Sequence, residues 1–325
     1  MVRIVITSIA LLGSSSLAAC TPRAEDSSVR PIPGTEQLAV EEFCITVSPD
    51  DRWLTFVEWR RPEKERANNR TLSGYETQVT SLDLQSGVRT RHSIDGLSPE
   101  VLGFSSERKD WRLSAAYRII EERFRPPGWI RGSFYFQRYG RGTYLALDPT
   151  QPDIRVVDAP DTMGTCSDCP PGIAVDFRGR TWDLLSNDVS AVQRDGVVRA
   201  VYYWVGGAKG VNAIMRIGEN GGEELVVDRR QKQGTLVTIT ALRVSPDEKY
   251  LAYVVRSKPQ ELLSGPREEL SIRDLQSKEE KRIASHGSVG NLIWSPRGER
   301  LYFAGGSVGG DGTAYVVDIG TAFGE

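Results

Sequence analysis

The sequence predicts an all-β fold, and three observations carry that prediction. Apolar runs are short and rich in β-branched and aromatic residues, as at residues 53–57, 197–205, 251–255 and 301–304. Such residues suit a pleated, half-buried surface. Gly, Asp, Asn and Pro interrupt these runs about every ten positions, the spacing of strands joined by turns. No segment sustains the helical periodicity of an amphipathic helix over several turns, and residues 107–122 hold at most a short one. At 325 residues the chain can bury one large β domain or two smaller ones.

A repeated hairpin refines the class. Ser48-Pro49-Asp50-Asp51, Ser245-Pro246-Asp247-Glu248 and Ser295-Pro296-Arg297-Gly298 each follow an apolar strand and precede a second one led by Leu54, Leu251 or Leu301. Proline presets the first turn dihedral, and Asp and Gly tolerate the rest of the turn. Downstream, Asp83-Leu84-Gln85-Ser86 and Asp274-Leu275-Gln276-Ser277, echoed by Asp148 and Asp318, close a third strand. Weaker copies of the hairpin begin at Val101 and near Gln193. Units of about 50 residues with four strands each are the signature of a β-propeller of four-stranded blades. The Ser-Pro-Asp hairpins resemble the PD40 (WD40-like) repeats of TolB-type propellers, over residues 41–319 but strictly in the three hairpins alone. Asp51 and Glu248 take the glycine place of that repeat, and Arg297 takes an aspartate place. The resemblance implies six blades. Five units can be counted directly, and residues 159–192 have room for a sixth around residues 173–179, so five remains the alternative. The last unit stops after its third strand, and a strand near residues 37–40 is expected to complete it and close the ring.

The N-terminus supplies an address. Arg3 precedes an apolar run at residues 4–12, and small residues lead to Cys20. This is the layout of a cleavable export signal, too short to span a bilayer permanently. Leu17-Ala18-Ala19-Cys20 resembles the bacterial lipobox. The resemblance implies a signal peptide over residues 1–19, cleavage before Cys20, and lipid on the thiol and new amino group of Cys20. Thr21 stands where an Asp would mark inner-membrane retention, which implies the periplasmic face of the outer membrane in a diderm cell. Residues 20–36 are polar and punctuated by proline, so they read as a flexible tether, with the propeller over residues 37–325.

Several stretches bear on function. The formal net charge of −2 gives no field that would gather nucleic acid. Extra residues fall between second and third strands, at 60–73, 121–132 and 257–266, so one face of the disc carries the long loops and is the expected working surface. Residues 108–141 hold nine Lys/Arg against three Asp/Glu, interleaved with aromatics. Arg123, Arg125, Trp129 and Arg131 form the candidate binding surface, with Arg125-Pro126-Pro127-Gly128-Trp129 as an exposed loop tip and Trp129 as the contact residue. The competing structural reading packs those aromatics between blades beneath arginine stems.

Cys166 and Cys169 are the candidate disulfide, while Cys44 reads as a buried thiol in an inner strand, with pairing to Cys166 or Cys169 the alternative. A zinc site would need a second ligand pair, and a c-type haem site would need His where Pro170 stands. Gly305-Gly306-Ser307-Val308-Gly309 matches G-x-S-x-G, but no histidine follows Ser307, so it reads as a glycine hairpin. His286, in Ser285-His286-Gly287, reads as a lone surface histidine in a turn. The expected function is that of a membrane-anchored envelope lipoprotein whose propeller binds a protein or glycan without catalysis. The alternative is a propeller enzyme, a glycan lyase or lactonase-like hydrolase, with its site in the central channel. No metal, cofactor or nucleic-acid partner is expected.

Overall fold

The computed structural model describes residues 28–36, 38–39, 45–60, 76–92, 125–130, 133–137, 144–157, 174–183, 187–194, 197–206, 212–229, 235–259, 267–306 and 311–324. An N-terminal segment carries β1 (Val29–Pro31) and β2 (Leu38–Ala39). The first unit is β3 (Ile45–Val47), β4 (Trp53–Arg60), β5 (Glu76–Asp83) and β6 (Arg89–His92). The second is β7 (Arg125–Ile130), β8 (Ser133–Gln137), β9 (Tyr144–Leu147) and β10 (Ile154–Val157). A hairpin follows, β11 (Ala174–Phe177) and β12 (Arg180–Asp183), with Arg178 and Gly179 both at positive φ in its turn. The fourth unit is β13 (Val189–Arg194), β14 (Val197–Gly206), β15 (Asn212–Gly218) and β16 (Glu223–Asp228). The fifth is β17 (Thr235–Val244), β18 (Tyr250–Pro259), β19 (Arg267–Asp274) and β20 (Glu280–His286). The last is β21 (Ser288–Trp294), β22 (Arg300–Gly306) and β23 (Asp311–Asp318), ending in the short helix α1 (Ile319–Phe323).

Each four-stranded unit is an antiparallel meander paired in chain order. Successive units meet through their first strands: β13 packs on β17, β17 on β21, and β21 on β3. This is the arrangement of a β-propeller, in which each sheet buries both faces against its neighbours. The seams are polar as well as apolar. Leu242 N donates to Asn187 O at 2.8 Å, Val244 N donates to Ser190 Oγ at 3.1 Å, and Trp294 Nε1 donates to Arg243 O at 3.0 Å. The Arg243 guanidinium donates to the carbonyls of Val189 and Leu242 and to Asn187 Oδ1. Burial pulls its pKa down to about 10, which leaves it a cation at neutral pH.

The N-terminal segment departs from the tether expected over residues 20–36. Val29, Arg30 and Pro31 pair antiparallel with Val317, Val316 and Tyr315, and Leu38 and Ala39 pair with Gly312 and Asp311. Between them the chain steps out and returns. Ile32 N donates to Ala314 O at 2.8 Å; Thr35 Oγ1 donates to Ile32 O and accepts from Ala314 N. Val29, Ile32, Thr35 and Leu38 are all buried, so residues 28–36 belong to the folded body and the folded part begins earlier than residue 37. Leu38 also pairs with Glu58 of β4. The last and first units thereby share one nine-stranded sheet. One core unites them: Ile32 and Leu38 pack with Ile45, Leu54 and Phe56 of the first unit and with Tyr302 and Ala314 of the last.

Two further expectations are corrected here. Residues 125–129 are not a loop tip; they lie in β7, the edge strand of the second sheet. Pairing slips between Arg125↔Gln137 and Gly128↔Tyr135, so the two prolines occupy a bulge, where no ladder hydrogen bond is demanded of them. Among the described residues the second sheet begins at β7, so residues 125–130 of the expected 121–132 loop are strand, while 121–124 and 131–132 lie outside the described residues. His286 is not a surface residue; it ends β20 with 8% exposure, its ring 5.1 Å from that of Tyr315 and 6.0 Å from that of Phe303. A Cβ on Gly305 would stand 2.9 Å from His286 Nε2, so only glycine allows the ring this close.

Candidate functional site

The three Ser-Pro-Asp turns share one construction. Ser48 Oγ donates to Asp50 Oδ1 at 2.5 Å and accepts from Trp53 N at 2.8 Å. Ser245 Oγ donates to Asp247 Oδ1 at 2.6 Å and accepts from Tyr250 N at 2.9 Å. In the third turn Arg297 replaces the aspartate, and Ser295 Oγ still accepts from Arg300 N at 3.0 Å. All three serines are buried, so the hydroxyl satisfies backbone groups that water does not reach. The residue in the glycine place adopts positive φ in every case: 58° at Asp51, 61° at Glu248 and 75° at Gly298. For Asp51 and Glu248 this conformation costs roughly 1 kcal/mol each.

That cost is offset by what the two carboxylates do. Asp51 accepts from Tyr302 Oη at 2.7 Å and from Arg300 Nη1 at 2.8 Å, both on the last unit. Glu248 accepts from Tyr202 Oη at 3.0 Å and from Arg216 Nε at 3.0 Å, both on the fourth unit. Each acid therefore reaches back from its turn to a Tyr–Arg pair of the preceding unit. Burial, reinforced by the facing carboxylate, pushes the Tyr202 and Tyr302 phenols well above their ordinary range, so both stay protonated donors. Where the turn has Gly298, the strand of the preceding unit carries Ala252 in the tyrosine's place, after Leu251 as Tyr302 follows Leu301. A Cβ on Gly298 would stand 3.0 Å from Asp247 Oδ1. A third network joins units four and five differently: Tyr253 Oη donates to Glu280 Oε2 at 2.5 Å, and Arg229 donates to both. The departures from the repeat at Asp51 and Glu248 are thus inter-unit staples, and the acid in the glycine place is the sequence signal for them.

One staple lines an open cleft of about 320 Å³ between the fourth and fifth units. Tyr202, Arg216 and Glu248 line it together with Leu225, Arg273 and Lys278. Leu225 is 53% exposed, and Lys278 holds φ 65° in the β19–β20 turn. Among the described residues no group of three or more His, Cys, Asp or Glu is placed to hold a metal ion.

In a meander, the connections between first and second strands and between third and fourth strands leave on one face, and those between second and third strands leave on the other. The first face carries the Ser-Pro-Asp turns, the β5–β6 and β19–β20 turns, and the cleft. The opposite face carries connections of residues 61–75, 207–211, 260–266 and 307–310. Of the long loops expected at 60–73 and 257–266, Arg60 ends β4 and residues 257–259 lie in β18, while 61–73 and 260–266 lie outside the described residues. The β7–β8 connection falls on the other, short-turn face, and so Trp129 and Ile130 end their strand there, paired with Phe134 and Ser133. Cys20, Cys44, Arg123, Arg131, Cys166, Cys169 and Ser307 lie outside the described residues, and of Arg125 and Trp129 the backbone alone is described. Arg216, Arg273 and Lys278, which line the cleft, have no signature in the sequence, because ordinary charged residues on strands and turns carry no motif.

No family model matches the chain, and no curated protein sequence matches it. Solved structures do. The chain is similar to TolB from Acinetobacter baumannii at 14% identity, over 85% of this chain and 59% of that one, with a TM-score of 0.30. It is similar to Kuenenia stuttgartiensis hydrazine synthase at 15% identity, over 90% and 81%, with a TM-score of 0.36. The β-propeller domain of the trilobed protease from Pyrococcus furiosus matches at 10% identity, over 86% and 70%, with a TM-score of 0.25. The chain spans less than two thirds of the TolB structure it matches. At these identities the likeness concerns the fold alone, and the propeller described above rests on the pairing of its own strands.

Proposed function

We propose that this chain is a lipid-anchored cell-envelope protein whose six-bladed propeller, closed by its N-terminal segment, is a platform that binds an envelope protein or glycan on the long-connection face. The observation that supports it most is geometric. Mutually packed sheets, stapled at the short-turn face, make a firm scaffold, and on its other side up to 15 residues, 61–75, join one strand to the next. Variable connections on a rigid scaffold are where recognition concentrates. The Leu17-Ala18-Ala19-Cys20 ending supports the anchor, and no helix among the described residues is long and apolar enough to cross a membrane.

The test is crosslinking in intact envelopes with the whole protein, compared with variants whose connections 61–75 and 260–266 are replaced by short Gly-Ser turns. The partner crosslinked to the unaltered protein should be lost from the trimmed forms while their thermal unfolding stays unchanged. Recovery of the same partner by the trimmed forms contradicts the reading. A Cys20→Ser form that still sediments with membranes removes the anchor from it.

A further inference from the structure

The position of the N-terminal segment decides which way the disc faces. The described chain begins at Ser28, whose carbonyl accepts from Asp318 N at 3.4 Å, and runs antiparallel along β23 to Ala39, opposite Asp311. Asp318 is the end of β23 that meets the short-turn face. It caps α1 by accepting from Thr321 N at 3.0 Å, and Ile319 N donates to the carbonyl of Glu299 in the adjoining β21–β22 turn. Ser28 therefore lies at the corner between the short-turn face and the outer edge of the last unit.

Seven residues, 21–27, separate Ser28 from Cys20. Whatever their conformation, they reach at most about 28 Å. Strands of eight residues, as in β23, and of ten, as in β17 and β18, span about 26–33 Å from face to face. To lay the long-connection face on a bilayer, the link would have to run taut along the whole thickness of the disc and leave nothing for the turn around its edge. Laying the short-turn face down requires almost none of that reach.

We propose that the short-turn face is the membrane-facing surface of this protein, and that its occupant is the lipid surface to which Cys20 is tied. This rests on the anchor reading above. The cleft beside Lys278 opens toward the headgroups, and the long connections point away from the membrane to meet a partner.

The test is energy transfer, in native membrane vesicles, from a fluorescent amino acid to a headgroup-labelled lipid. The probe is placed at Gln276 or Arg297 on the short-turn face and, separately, at Val205 or Arg267 on the other, all four exposed. Because the faces stand about 26–33 Å apart, transfer from the short-turn sites should be at least about twofold stronger. Inserting a long Gly-Ser spacer after Thr21 should shrink that difference while the protein still sediments with the vesicles. Equal or reversed transfer in a protein that sediments overturns the orientation and leaves the anchor standing. Failure to sediment, with Cys20→Ser behaving like the unaltered chain, overturns the anchor reading and the orientation with it.

Discussion

Acidification from pH 7 to pH 4 is expected to destabilise the protein by about 3 kcal/mol for each of its two histidines. Both are buried, His92 at 2% exposure and His286 at 8%. Burial lowers each pKa to about 4. At His92 it outweighs the opposing effects of the Gln151 backbone and the Asp148 carboxylate. His92 Nε2 lies 2.8 Å from Ser81 Oγ, and His286 is packed against Phe303, Tyr315 and Gly305. In the unfolded chain both rings take up a proton near pH 6.5, whereas in the folded protein they stay neutral until about pH 4. Between those values the unfolded state binds more protons, so stability falls as pH falls, and the loss levels off below the folded pKa. Denaturant unfolding at pH 7, 5.5 and 4 reads this directly. A His92→Gln/His286→Gln form should be less stable at pH 7 yet nearly flat from pH 7 to 5.5, above the range in which the unfolded carboxylates take up protons. A slope between pH 7 and 5.5 that survives in the double variant assigns the acid sensitivity there to other groups.

Leu38→Ala is expected to cost about 2–5 kcal/mol, the range for emptying a fully buried leucine site. Leu38 has no exposure, and it sits in the core shared by the N-terminal segment, the first unit and the last. Its backbone pairs with both β23 and β4, which limits how far the surroundings can collapse into the space left by the side chain. Val88→Ala, at a position 59% exposed, should change stability by less than about 0.5 kcal/mol and serves as the control. Equal midpoints for the two variants in denaturant would mean that the N-terminal segment is not packed as described.

The sequence was most informative where turn chemistry dictates the backbone. The Ser-Pro-Asp hairpins could be placed because proline and a buried serine hydroxyl specify the turn locally, and the Asp-Leu-Gln-Ser stretches mark third-strand ends for a similar reason. Asp83 Oδ1 accepts from the backbone of Gln85 and Ser86, as Asp274 Oδ1 does from Gln276 and Ser277. Hairpins with weaker chemistry, at Arg178-Gly179 and after Gln193, were still visible in outline. What escaped was decided by tertiary context. Val29-Arg30-Pro31 is three residues in a polar, proline-marked stretch, and it becomes a strand because β23 offers an open edge. Pro126-Pro127-Gly128 reads as a turn, but an edge strand with a bulge accepts it. Ser285-His286-Gly287 also reads as a turn, yet β20 runs through His286 because Gly305 leaves room for the ring. At the candidate site, Glu248 was noticed as a departure from the repeat, while its partners Tyr202 and Arg216 lie 46 and 32 residues away in sequence. A pairing that distant leaves no local signature.

The central structural claim is that β1 and β2, within residues 28–39, pair into the last sheet and tie it to the first, so that residues 28–36 are not part of a free tether. Amide hydrogen exchange of the whole protein tests this most directly. Peptides spanning residues 28–39 should exchange as slowly as those from β22, since the segment pairs with β23 and the Ile32 amide is bonded to Ala314. Complete exchange of those peptides at the earliest time point, with β22 still protected, would contradict it.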